Sequence, residues 1–283
     1  MVVRTRQVLR TVRYNGAELA RREVQAVLSG YSGSLKPMSG RRCRLRDQPT
    51  GTITRLFTDI EGSTHLGAAA ATLLLLASLH VLSPAFDPSF RMVSEYALGQ
   101  YGWVLSLLFF AWRISAWALA VALWSQVTTR AGKIGLWLLI IAGLGEAMAS
   151  VFDITHDTGH SIAGVLGMGG FPVAAVVLSV SLGRTQAWRG AKTLLLWLAH
   201  LNWISVVLLL ATLVLMTVQV AQASGGHLPQ QAPAYLPAGV LGFDGWADRL
   251  IVLSNCLWVG VAARQVMKLD GTQLLASTTK QEN

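Results

Sequence analysis

Six long apolar runs constrain this chain more than any other feature. They read Leu66–Leu82, Tyr101–Trp124, Ile134–Phe152, Ser161–Leu182, Thr193–Val220 and Trp246–Val266. A helix crosses the ~30 Å hydrocarbon core of a bilayer with about 20 predominantly apolar residues. Each run is therefore long enough to span, the first only at the short limit. Lipid offers no water to unpaired N–H and C=O groups, so a spanning segment must satisfy its backbone internally, as a helix does. A membrane barrel would need alternating segments of about ten residues, and none is visible. The expected fold is all-α, a polytopic membrane bundle of six transmembrane helices. Composition agrees, with 53% hydrophobic and only 13% charged residues.

Lys and Arg concentrate in cytoplasmic loops. The loop after the second run holds Arg130 and Lys133, and the loop after the fourth holds Arg184, Arg189 and Lys192. The tail holds Arg264, Lys268 and Lys280, whereas the alternate loops hold only Arg91, with Arg249 at a helix mouth. This alternation predicts N-in/C-in topology in a cell membrane, with residues 83–100, 153–160 and 221–245 facing outward. The net charge of +9 is then mostly topological, and no nucleic-acid partner is expected. Cys43 and Cys256 fall at different depths or on opposite sides, which argues against a disulfide, and no metal-type cysteine spacing is present.

Three regions follow: a basic cytosolic segment at 1–64, a membrane domain at 65–268 and a cytosolic tail at 269–283. The first segment carries ten arginines before residue 47, with Gly, Ser and Pro from Gly30 to Gly40. It lacks the apolar core of a signal peptide. Residues Ala17–Leu28 have the pattern of a short amphipathic helix. The remainder reads as a solvated tail or as a basic arm on anionic lipid heads.

Residues Gly51-Thr-Ile-Thr-Arg-Leu-Phe-Thr-Asp-Ile-Glu-Gly-Ser-Thr64 resemble the opening strand and turn of the class III adenylate/guanylate cyclase domain. That resemblance implies that Asp59 would hold catalytic metal and that Ile60 would offer a carbonyl. The chemistry needs a second carboxylate and an α/β domain to hold both. Here no second Asp follows in a Gly-Asp-Gly context, and a membrane span begins almost at once. The stretch is expected to be a non-functional remnant.

Across residues 66–268 the chain resembles the DUF998 family of bacterial six-span membrane proteins. The resemblance rests on Asp87-Pro-Ser-Phe-Arg-Met-Val-Ser-Glu-Tyr-Ala-Leu-Gly-Gln-Tyr-Gly102, on Phe152-Asp153 followed by His160 and Phe171-Pro172, and on Gly245-Trp-Ala-Asp-Arg-Leu250 with Trp258 and Ala263-Arg264. It implies the same helix count and supplies no reaction.

With the topology assigned, polar residues sort by depth. Most acidic residues and histidines of the membrane part fall on the outer side, among them His80, Asp87, His156, Asp157, His227, Asp244 and Asp248. Three resembling segments converge there, predicting an outward-facing polar pocket built from Ser94, Glu95, Tyr96, Asp153, His160 and Arg249. The plainer reading is that outer loops are simply wet. Two charges lie deeper, Arg113 in the second run and Glu146 in the third. Their depths differ by about four residues, or about 6 Å at the helical rise of ~1.5 Å. A lone charge at mid-bilayer costs ~2.5–3.5 kcal/mol or more, so an intramembrane Arg113–Glu146 ion pair is expected. Asp153, His156 and His160 also admit a metal reading, since His156 and His160 at i, i+4 would share a helical face. Against it, Thr158 and Gly159 favour a turn. No other cofactor is implied.

The remaining signals concern packing. Gly143 and Gly145 in the third run, with Gly164, Gly167, Gly169 and Gly170 in the fourth, allow close helix approach. Trp103, Trp124, Trp188 and Trp246 sit at span ends, as interfacial anchors do. Trp112, Trp117 and Trp258 read as core or lipid-facing. His200 and Asn202 are expected to hydrogen-bond between helices. The Gln230–Pro237 stretch reads as an irregular outer loop. Two function classes remain: a non-catalytic protein that binds or moves a small-molecule or lipid ligand through the outer pocket, or a membrane-embedded, metal-dependent hydrolase using Asp153, His156 and His160 near the outer leaflet. The sequence indicates no oligomeric state.

Overall fold

The computed structural model describes residues 50–227 and 235–282, with side chains over 64–227 and 235–272. Residues 1–49, with the helix expected at Ala17–Leu28 and Cys43, and Pro229 and Pro233 lie outside the described residues. Within them all regular structure is helical, with no strand. Six helices are long and apolar enough to cross a membrane, as the runs predict.

Helix α1 spans Thr50–Leu82, of which Thr64–Leu82 is the apolar part. The strand and turn implied by the cyclase-like residues is not formed; 51–64 are helical and continuous with the span. A lone strand has no ladder partner for its backbone, whereas a helix pairs its N–H and C=O groups within itself.

A loop with a 3-10 turn at Val93–Leu98 leads to α2 (Gly102–Leu123). Helix α3 (Arg130–Ala149) starts at Thr129, whose hydroxyl accepts from Gly132 N at 3.0 Å and pairs with Ser181 Oγ at 2.6 Å. The fourth span, α4, covers Asp157–Leu182 and is interrupted by a π-turn at Val165–Gly169. Helices α5 (Lys192–Ala223) and α6 (Asp244–Glu282) complete the bundle. Helix α6 passes residue 268 without a break, so the expected tail continues it.

The bundle is apolar outside and carries polar groups inside. Leu74, Val81, Trp197, Ile204, Leu210 and Val214 are exposed, whereas Glu95, Glu146, Asn202, Asp248, Arg249 and Asn255 are buried. Such a broad apolar exterior suits lipid as its solvent. Small residues set the α3–α4 contact. A Cβ at Gly145 would meet Ala163 O at 2.7 Å and run into the Gly167 backbone, so only glycine fits. One at Gly143 would strike the Trp117 indole, whose Nε1 donates to Ile140 O at 3.0 Å.

Two packing expectations need correction. Trp188 is not an exposed anchor; it is almost wholly buried, while Trp103, Trp124 and Trp246 are exposed. His200 is exposed and joins no inter-helix bond among the described residues. Asn202 does, accepting from Ser254 Oγ at 2.7 Å.

Candidate functional site

The loop joining α1 to α2 folds back over the first turns of α6, and one arginine holds it there. Arg249 Nε donates to His80 Nε2 at 2.7 Å, Nη1 to Arg91 O and Gly245 O at 2.8 Å each, and Nη2 to the Tyr96 hydroxyl at 3.0 Å. Accepting at Nε2 requires that His80 carry its proton on Nδ1, which donates to Leu76 O at 2.7 Å. Gly245 N donates to Ser89 O at 3.1 Å, and a side chain at 245 would collide with the loop carbonyls of Pro88 and Arg91. Glu95 is buried beside Arg91, with Nε to Oε2 at 3.3 Å. Burial raises its carboxyl above the ordinary range, partly offset by the Arg91 charge. Asp87 accepts from Ser89 N at 2.9 Å and Ser89 Oγ at 2.7 Å; these bonds, the backbone one first, hold its carboxyl below the ordinary range.

Beside this clamp lies a cavity of about 410 Å³ between α2, α3, α4, α5 and α6. Phe109, Trp112, Leu209 and Val252 make most of its wall apolar; Ser94, Glu146, His160 and Asp248 supply the polar groups. Asp248 Oδ2 accepts from Val93 N at 2.7 Å, which ties the loop to the cavity rim. The Glu146 carboxylate packs over Gly167, where a Cβ would come within 2.6 Å of its Oε1. Gly167 lies in the π-turn of α4. A π-turn adds a residue to the helical turn and often accompanies functional sites; here it makes room for the glutamate head. His160 Nδ1 donates to Phe152 O at 3.1 Å, leaving Nε2 as the second polar position of the ring. Val165 and Leu210 on the wall are also exposed on the outer surface. The cavity is thus bordered by lipid-facing side chains of α4 and α5.

A family model described as a protein of unknown function, DUF998, matches residues 66–265, all but the two ends of the membrane region. The chain belongs to the DUF998 family. No curated protein and no solved structure matches it.

The six residues expected in one pocket separate into three places. Ser94 and His160 line the cavity. Glu95, Tyr96 and Arg249 belong to the adjoining clamp. Asp153 does neither and borders a separate recess with Gln100 and Ser106. It stabilises its own turn, accepting from Thr155 N at 2.9 Å, and lies 3.1 Å from His156 Nδ1. The Thr155 hydroxyl, first among these partners, holds its carboxyl below the ordinary range.

The metal reading of Asp153, His156 and His160 is not met. No three such side chains form a metal-binding group among the described residues. Asp153 and His156 pair in an exposed turn, while the His160 ring is turned back to the Phe152 carbonyl.

The expected Arg113–Glu146 ion pair is likewise absent from the described residues. Arg113 stacks over the Phe110 ring at 3.9 Å and lies 5.4 Å from the Trp117 ring. Glu146 turns to α4 instead. Similar depth permits a contact, but azimuth decides it, and each helical residue advances about 100° around the axis.

Asp248 and Trp112, which line the cavity, and His80, which joins the clamp, lie outside the six-residue pocket expected from the sequence, although the sequence places His80 and Asp248 on the outer side. The signal for Asp248 was its place one residue before Arg249 in a mostly apolar span, where an ionisable residue marks a functional position by default.

Proposed function

We propose that this DUF998 protein binds or moves a small or lipidic ligand in the cavity between α2 and α6, on the extracytoplasmic side of a cell membrane with both termini cytoplasmic. The single observation that carries the reading is an apolar cavity inside the bundle with the Glu146 and Asp248 carboxylates on its wall. Acidic residues inside a span are costly, and by default they mark functional positions. A cavity of about 410 Å³ lies within the ~300–1,000 Å³ usual for small-molecule sites. Its border of lipid-facing residues suits a ligand that arrives from the bilayer.

The orientation is supported by charge. Arg130, Lys133, Arg184, Arg189, Lys192, Arg264 and Lys268 fall in the loops and helix ends opposite the cavity-side loops. Arg91 and Arg249 on the cavity side are engaged within the protein.

The test is to purify the chain in lipid nanodiscs and identify co-purifying molecules by mass spectrometry, beside Leu209→Trp, which adds bulk to the cavity wall. A defined molecule present with the native chain and lost with Leu209→Trp is the expected result. Identical profiles, with a monodisperse variant, would overturn the reading.

A further inference from the structure

We propose that the cavity recognises an organic cation, a quaternary or protonated amine carried on an apolar body, with Glu146 and Asp248 as its counter-charges and Trp112 and Phe109 as its aromatic wall. This rests on the cavity being a ligand site at all and names the chemistry of what enters it.

Two buried acidic groups have no basic partner in contact among the described residues. Glu146 is only 5% exposed, yet its carboxyl group meets no hydrogen-bond donor among the described residues, and no basic side chain lies within ion-pair distance. Asp248 is 8% exposed and accepts one backbone N–H, from Val93. The neighbouring arginine does not neutralise it by direct contact. All three nitrogens of Arg249 are committed to His80, Tyr96 and two carbonyls. Arg113 is held over Phe110 and Trp117 and is not among the cavity residues. The polar side of the cavity thus carries two carboxyl groups, one imidazole and hydroxyls, with no Lys or Arg on its wall.

The apolar side has a matching character. Phe109 and Trp112 line the cavity with their rings nearly parallel, 8° apart at 6.3 Å between centroids. The negative face of an aromatic ring attracts ammonium groups, most strongly where water is excluded. Trp112 is 3% exposed and its Nε1 has no hydrogen-bond partner, so the indole is held by packing and not by a polar bond. Carboxyl groups and aromatic rings lining one cavity favour a cation over an anion, which would meet both acids without a basic partner. A neutral apolar ligand would offer the two acids no counter-charge.

The experiment uses the full chain in nanodiscs and labelled benzyltrimethylammonium in a saturation-binding assay. Its uncharged carbon isostere, neopentylbenzene, and the anion 3-phenylpropionate serve as competitors. Saturable cation binding is expected, with either competitor weaker by at least about tenfold. Glu146→Gln and Asp248→Asn should each weaken cation binding by about tenfold, the loss expected for one charge-assisted contact. Both substitutions preserve size, and a monodisperse elution profile confirms that the variants fold. If neopentylbenzene displaces the probe as well as the cation does, and both variants bind normally while Leu209→Trp does not, the cavity takes ligands without reading charge. That result overturns this inference and leaves the ligand site standing. If no probe binds and co-purifying molecules are unchanged by Leu209→Trp, both fail.

Discussion

Arg249 offers the sharpest test of how this bundle is held together. Replacing it with Met keeps an apolar stem of similar length and removes four hydrogen bonds made by one buried, charged group. Each bond to a charged group contributes ~1.5–3 kcal/mol when measured alone. The four share one side chain, however, and the orphaned acceptors partly relax, so the sum overstates the loss. The partners of Arg249 are neutral, so the cost is that of leaving buried acceptors unpaired, ~1–3 kcal/mol each before relaxation, and about 3–5 kcal/mol for the set is the working figure. At ~2–4 °C per kcal/mol for a chain of this size, Tm should fall by about 6–20 °C. Arg249→Lys keeps the charge but has a single nitrogen in place of the planar fork, so it should fall between native and Met. The comparison is Arg113→Met. Arg113 lies beside the half-exposed Phe110 ring, where a cation–π contact is worth ~0.5–1 kcal/mol, and its removal also relieves a charge from the membrane. Tm should move by no more than a few degrees. Intrinsic-fluorescence melting in nanodiscs reads all three. A Tm for Arg249→Met within two or so degrees of native, or an equal loss for Arg113→Met, would refute the claim that the loop is clamped through Arg249.

Other expectations follow from the same contacts. Gly145→Leu must displace the Gly167 backbone and Ala163 O; overpacking of this kind costs ~1–3 kcal/mol, and the variant should melt lower while Gly164→Ala, with open space around it, should not. Glu95 holds its proton to higher pH in the folded chain than in the unfolded one. Its contribution is therefore complete below the ordinary Glu value of ~4.3 and is lost as pH rises through the higher folded value. Glu95→Gln should flatten the fall in Tm over that window, and an unchanged slope would count against the burial argument. Asp153→Asn should leave ligand co-purification unchanged, since Asp153 does not line the cavity; a loss would reinstate it as a site residue. Thr155→Cys should react with an impermeant maleimide on intact cells and Gln186→Cys should not, both positions being exposed and Cys256 buried; the reverse pattern would invert the topology.

The helix count was legible because the bilayer reads the chain in a single coordinate, distance along the membrane normal. Runs such as Thr193–Val220 need no partner to identify them. The same coordinate brought Ser94, His160, Tyr96 and Arg249 to one end of the bundle. It could not tell which way each faces. Arg113 and Glu146 lie within reach of each other in depth, yet one stacks on Phe110 and the other packs against Gly167. Asp153 and His160 are seven residues apart, yet one stabilises an exposed turn and the other borders the cavity. Trp188 had the position of an anchor and the environment of a core residue. In each case rotation about the helix axis and the path of a short loop decided the outcome, and neither leaves a mark in hydropathy.

By itself, then, the amino-acid order determined that this is an all-helical membrane protein with six apolar crossings and that ionisable groups gather toward one end. Hydrocarbon cannot solvate a bare peptide group, so length and polarity suffice for that much. Only the tertiary structure decided that Arg249 is consumed in a clamp, that Glu146 faces the π-turn of α4, and that Asp248 and Trp112 share a cavity. Those outcomes depend on side-chain direction and close packing between helices distant in the chain, where a single turn of 100° exchanges lipid for an interior wall.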